Sequence, residues 1–151
     1  MNLYTAGPID LGKDVPQWRS RLKDIMDSKG IAGVIFDPST AYKPSLLGVA
    51  DSDRGEYIES VNTTALELAD AFVVCLPAGV QSVGTPIELD LACELDKPVA
   101  LLTNIPRGKS LYLDNRVSEQ EWFFCDLSMP GNIDIALTSI VDYLHQPLLN
   151  E

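Results

Sequence analysis

Basic residues are scarce in this chain of 151 residues: 11 Lys and Arg stand against 22 Asp and Glu, for a net charge of −11. Nucleic-acid polymers and anionic membranes are poor partners for such a surface, because phosphate contacts depend on clustered basic side chains. A small phosphorylated ligand stays open, since backbone amides at a helix N-terminus hold one phosphate without much positive charge. Long apolar runs are also missing, and nothing approaches the ~20 residues that cross a bilayer. Met1-Asn2-Leu3-Tyr4 leads straight into a strand-like run without a basic region or cleavage site. A cytoplasmic location is therefore expected. The three cysteines, Cys75, Cys93 and Cys125, are widely spaced and lack a C-x-x-C pattern, and His145 is the one histidine. Neither a disulfide framework nor a zinc site fits; the expectation is buried free thiols, with no metal or organic cofactor.

What is present is the composition of an ordinary globular domain, 46% hydrophobic and 22% charged, of a length that suits one unit over residues 1–151. Four apolar runs closed by turn chemistry read as buried strands: Asn2 to Ala6, Gly33 to Phe36, Ala71 to Leu76 and Val99 to Leu102. A fifth is Trp122 to Cys125. Between them Val15 to Ser28 sets Trp18, Leu22, Ile25 and Met26 on one helical face, with Gly30 as its stop. Glu56 to Leu68, Pro86 to Leu95 and Ile133 to Leu144 are the other helical patterns. Strands alternating with helices imply an α/β domain whose parallel sheet is covered on both faces.

Ligands of open α/β sheets bind beyond the carboxyl ends of the strands. Those ends carry Tyr4 to Ile9, Asp37-Pro38, Pro77 to Glu88 and Thr103 to Ser110. The irregular stretch Ser39 to Asp53, rich in Pro, Gly and Ser, reads either as a plain connection or as a wall for a ligand.

The most informative stretch is Ala69 to Thr103, a strand, a small-residue loop and a helix with Thr85, Pro86 and Glu88 in its first turn. Thr85 suits the N-cap and Pro86 the first helical position. Local pattern leaves Glu88 with two readings, the return arm of a capping box or a nucleophile kept ionised by the helix terminus. Ser82-Val83-Gly84 reads either as a simple turn or as an anion cradle. No Gly-Lys-Ser/Thr or G-x-G-x-x-G pattern accompanies it.

Tyr4-Thr5-Ala6-Gly7-Pro8, Ala69-Asp70, Gly84-x-x-x-Glu88, Leu91-Ala92 and Lys97-Pro98-Val99 together resemble the nucleoside 2-deoxyribosyltransferase superfamily over most of the chain up to about Thr103. The resemblance implies a three-layer sandwich around a five-stranded parallel, Rossmann-like sheet. It implies Glu88 as a nucleophile that attacks the anomeric carbon, Tyr4 as the residue that orients it, and a covalent glycosyl-enzyme resolved by water or a second base. Ser82, six residues before the glutamate, matches the branch that hydrolyses nucleoside 5′-monophosphates. A hydroxyl there accommodates a phosphate that an aspartate would repel. Gly7, Pro8, Ile9, Asp37, Ser82 and Gly84 are the implied substrate-binding positions.

Two departures accompany the match. The branch's phosphate-binding arginine would fall near Asp10, leaving Arg19 as a substitute whose plainer reading is a surface arginine beside a core tryptophan. The general acid of many members falls at Asn62, which has no titratable proton, so Asn62 is expected to hydrogen-bond the base, and either Glu59, Asp53 or Asp37 supplies the acid or the base is one that leaves more easily. The resemblance, and not the sequence itself, implies a homodimer or higher oligomer in which a residue of the basic loop Asn104 to Ser110, such as Ser110, Lys109 or Arg107, completes a neighbour's site; a solubilising surface loop is the alternative. The expected reaction is cleavage of a (deoxy)nucleoside 5′-monophosphate into base and sugar phosphate. A deoxyribosyltransferase acting on nucleosides and a non-catalytic nucleotide-binding module are its rivals.

Overall fold

The computed structural model describes residues 1–7, 17–37, 64–79 and 84–149. Five strands, β1 (Leu3–Ala6), β2 (Ile35–Phe36), β3 (Ala71–Leu76), β4 (Val99–Thr103) and β5 (Trp122–Phe124), form one sheet in the order β2-β1-β3-β4-β5. Every pairing is parallel. The helices are α1 (Trp18–Ser28), α2 (residues 64–68), α3 (Gly84–Glu94), the single turn α4 (Leu111–Asp114) and α5 (Pro130–Leu149). A 3-10 turn, Glu119–Glu121, leads into β5.

The alternation of side chains along a strand explains the three layers. Leu3, Val73, Cys75, Ala100 and Leu102 face α1 and α5, meeting Trp18, Leu22, Met26, Leu137 and Ile140. Tyr4, Ala6, Phe72, Val74 and Leu101 face the other way, against Leu66, Leu89, Ala92 and Leu113. The sequence expectation of a covered parallel sheet holds, and so does Gly30, whose φ of +70° closes α1. The differences lie at edges: β2 is only two residues, α5 is longer than its apolar pattern, and α4 and the 3-10 turn are too short for periodicity to reveal. The thiols need one correction. Cys75 is buried, but Cys125 is half-buried and Cys93 exposed, because Cys93 occupies the outer side of α3 rather than its sheet-facing stripe.

Lys97 has a structural duty. Its Nζ donates to the carbonyls of Leu66 at 2.9 Å and Ala69 at 2.7 Å, and also to that of Glu67. These are orphan acceptors at the end of α2, where a cation is favoured. Lys97→Met is expected to lower the urea midpoint by roughly 1–2 kcal/mol of stability, without altering the slope of the transition.

Among the described residues no helix is long and apolar enough to cross a membrane.

Candidate functional site

The order β2-β1-β3-β4-β5 reverses direction between β1 and β3, and open α/β sheets bind ligands in the crevice outside the carboxyl ends of the strands at such a switch point. Gly7 directly follows β1 at this end of the sheet. A Cβ there would stand 3.0 Å from the Cys75 carbonyl oxygen and 3.4 Å from Trp18, so a side chain would force its neighbours on β3 and α1 to give way slightly. Thr103, fully buried, donates to the Leu76 carbonyl at 2.6 Å and accepts from the Ile105 amide. Asn104 Oδ1 accepts from the Ala78 amide at 2.7 Å. Together they fix the rim from which the chain leaves β3 toward α3.

Tyr4 and Glu88 meet at this point. Tyr4 is fully buried between Phe36 and Phe72, with ring centroids 5.3 and 5.4 Å away. Its hydroxyl donates to Glu88 Oε1 at 3.1 Å. The tyrosine is thus both a core aromatic and a polar contact of Glu88. Among the described residues, Glu88's hydrogen bond runs to β1 and not back to the helix start as in a capping box. Burial pushes the Glu88 carboxyl up to about 7, against the opposing pull of the Tyr4 hydroxyl and the Arg19 charge. Here the sequence expectation of a carboxylate kept ionised by the helix terminus needs correcting, because the loss of hydration outweighs the favourable partners.

Arg19 approaches from the opposite face of the sheet. Its Nε donates to Thr5 Oγ1 at 2.9 Å and lies 3.5 Å from Asp37 Oδ1, while the guanidinium stacks 4.6 Å from the Trp18 ring centroid. The side chain is only 15% exposed, so it is not the surface arginine its neighbour Trp18 suggested. Nη2 is buried without a hydrogen-bond partner among the described residues. Thr5 in turn donates to the Phe36 carbonyl at 2.7 Å, which ties β1, β2 and α1 together around the guanidinium. Burial lowers the Arg19 pKa, with Asp37 as the strongest opposing influence, and Cys75, Glu88 and Tyr4 also feel its charge.

The structure therefore brings together Tyr4, Gly7, Asp37 and Glu88 of the expected residues, and adds Arg19 and Thr5. Gly84 is the first residue of α3. Ser110 caps α4, its Oγ accepting from the Leu113 amide at 3.3 Å. In the same loop Arg107 donates to the Val117 carbonyl at 2.7 Å and sits over Trp122. Pro8, Ile9, Asp10, the Ser39 to Asp53 stretch, Glu59, Asn62 and Ser82 lie outside the described residues. Sequence reading missed Thr5 and underrated Arg19. The available signal was an arginine in the first turn of the helix after β1, next to the switch point.

Among the described residues no group of three His, Cys, Asp or Glu side chains is arranged to hold a metal ion.

No protein-family model matches this sequence, and no curated protein matches it significantly. Solved structures do resemble it. A 2-deoxyribosyltransferase from the psychrotolerant bacterium Bacillus psychrosaccharolyticus superposes with a TM-score of 0.63 at 18% identity, covering 85% of this chain and 88% of that one. A conserved protein from Enterococcus faecalis V583 superposes with a TM-score of 0.59 at 18% identity, covering 97% and 98%. At such identity the likeness is one of architecture: this chain has the α/β fold of a 2-deoxyribosyltransferase, with a central five-stranded parallel sheet.

Proposed function

We propose that this protein cleaves the N-glycosidic bond of a nucleoside 5′-monophosphate, with Glu88 as the nucleophile. The observation that carries the reading is the buried Tyr4–Glu88 hydrogen bond of 3.1 Å at the switch point of the sheet. An ionised Glu88 oxygen attacks C1′ of the sugar, and the electron pair of the breaking C1′–N bond leaves with the base. The developing positive charge on the sugar is stabilised by the carboxylate, as in retaining glycosidases. Tyr4 holds the attacking carboxylate through one oxygen and leaves the other for C1′. Asn62 is proposed to hydrogen-bond the base, and Ser82 with Gly84 to cradle the phosphate.

Arg19 supports the phosphate part of the reading. A buried guanidinium whose Nη2 has no partner among the described residues is a donor in want of an anionic acceptor. Asp37 neutralises only part of that charge, from 3.5 Å.

The glycosyl ester on Glu88 then reacts with water or with a second base. The second outcome makes the protein a deoxyribosyltransferase, and the architecture it shares with one favours keeping that reading. Both share the first half-reaction. Oligomers in which Ser110 reaches a neighbour's site belong to the same proposal.

Incubation with nucleosides and their 5′-monophosphates, with free base followed by chromatography, tests the reading. Release of base from monophosphates is expected, and Arg19→Gln should raise KM for them by about 10-fold or more while leaving that for nucleosides little changed. Equal release from nucleosides removes the phosphate assignment. A new nucleoside formed on adding a second base identifies the transferase. Tight binding without release of any base overturns catalysis in favour of a nucleotide-binding module.

A further inference from the structure

The turn of α3 that bears Glu88 is held from two sides. Residues two apart on an α-helix project about 200° from each other, so Pro86 and Asp90 sit on the side of α3 opposite Glu88. That far side packs on α4. Tyr112 Oη lies 2.9 Å from the Pro86 carbonyl oxygen and 3.0 Å from Asp90 Oδ1, so one hydroxyl proton serves acceptors on both flanks of Glu88. Arg116 completes the arrangement. Its Nε donates to Asp90 Oδ1 at 2.6 Å, its Nη1 to the Tyr112 carbonyl at 3.1 Å, and its guanidinium covers the Tyr112 ring at 3.8 Å.

We infer that Tyr112, Asp90 and Arg116 form a clamp that positions the helical turn bearing Glu88, setting how far its carboxylate reaches into the crevice. The three are positioning residues, and the inference rests on Glu88 being the reactive group of the proposed function. Several features favour this over simple helix packing. The Tyr112 hydroxyl contacts fall on the two residues that bracket Glu88, and the Cys93 thiol adds a weaker link to the Arg116 carbonyl farther along α3. Burial, reinforced by Asp90, pushes the Tyr112 hydroxyl up to about 12, so it remains a donor at every working pH. Leu111, beside Tyr112, is 78% exposed, so α4 is held by Leu113 as its buried apolar anchor together with these polar contacts. The position of α4 is itself fixed by the Ser110 cap and by the contact of Arg107 with Val117, which links the clamp to the loop after β4.

Among the described residues, the titratable groups that face Glu88 are Tyr4 from β1 and the Arg19 charge from α1; the clamp touches neither. A misplacement of about 1 Å in a reacting group can cost on the order of 100-fold in rate. Tyr112→Phe keeps the ring under Arg116 and removes only the shared proton, and Asp90→Asn weakens the Arg116 link while preserving shape. In each variant kcat for base release is expected to fall by about 10-fold with KM within a factor of about two. The Glu88 carboxyl, followed by carbon-13 NMR, should titrate closer to the ordinary carboxylate range, because a looser turn admits water. Unchanged kcat with an unchanged titration in both variants overturns the clamp, whatever happens to Tm. If the wild type releases no base, the proposed reaction fails, and the titration alone then decides the clamp: a displaced midpoint supports it and coincident curves overturn it.

Discussion

Glu88→Gln is expected to lower base release by on the order of 10⁴-fold or more, because the amide matches the carboxylate in size but is a far poorer nucleophile. The loss should appear in kcat and kcat/KM alike, since the missing covalent step is made only at the transition state. Wild-type activity should itself depend on pH in a defined direction. The attacking form is the carboxylate, and burial holds its pKa at about 7, so kcat/KM should rise with pH and level off above that value. Two substitutions move this limb the same way. Tyr4→Phe removes the hydrogen bond that favours the ionised form, and Arg19→Gln removes the nearby positive charge. Each should shift the midpoint to higher pH. A pH–rate series with all four proteins checks the assignment, and a Tyr4→Phe midpoint at or below that of wild type would remove the hydroxyl from its role.

The same carboxyl should leave a mark on folding that requires no substrate. Its pKa is raised in the folded state from an ordinary value of 4.5 to about 7. Between those values the native protein retains a proton that the unfolded chain has released, so stability falls as pH rises through the window and is flat above it. The gap converts to about 3 kcal/mol at most. Glu88→Gln has no charge to desolvate. It should match wild type near pH 4.5 and exceed it by roughly 2–3 kcal/mol at pH 8, read from urea denaturation at both values. In thermal melts the gap at pH 8 should reach several degrees. A variant that is inactive yet more stable is the pattern of a group kept ionised for function at a cost to the fold. Equal stability at both pH values would mean that the carboxyl is hydrated in the native state.

Much of the architecture is legible in the amino-acid order because it depends on local periodicity. The strands β1, β3 and β4 are short apolar runs with a turn after each, and α1 displays its core stripe Trp18, Leu22 and Met26. Burial on both faces of a parallel sheet removes polar alternation and leaves this pattern visible. Elements held by single contacts escape. The turn α4 depends on the Ser110 cap and on Tyr112 bonding across 22 to 26 residues of sequence, and nothing periodic marks it. Glu88 was legible as a candidate only through the whole set of matching segments, since Thr85-Pro86-Ile87-Glu88 alone reads more readily as a capping box.

The sequence by itself determined the composition of the layers, the acidic surface and the segments from which a site would be drawn, since each follows from residues near one another along the chain. Tertiary structure alone decided which of those segments meet. Tyr4 and Glu88 are 84 residues apart and touch because β1 lies beside β3 at the point where the strand order reverses. Arg19 changed from a surface residue to a largely buried charge that Thr5 and Asp37 hold at the sheet end. The ionisation of Glu88 was decided in the same way. Hydration is lost in proportion to what packs around a carboxyl, and that packing is set by the sheet and not by the helix terminus on which the residue stands.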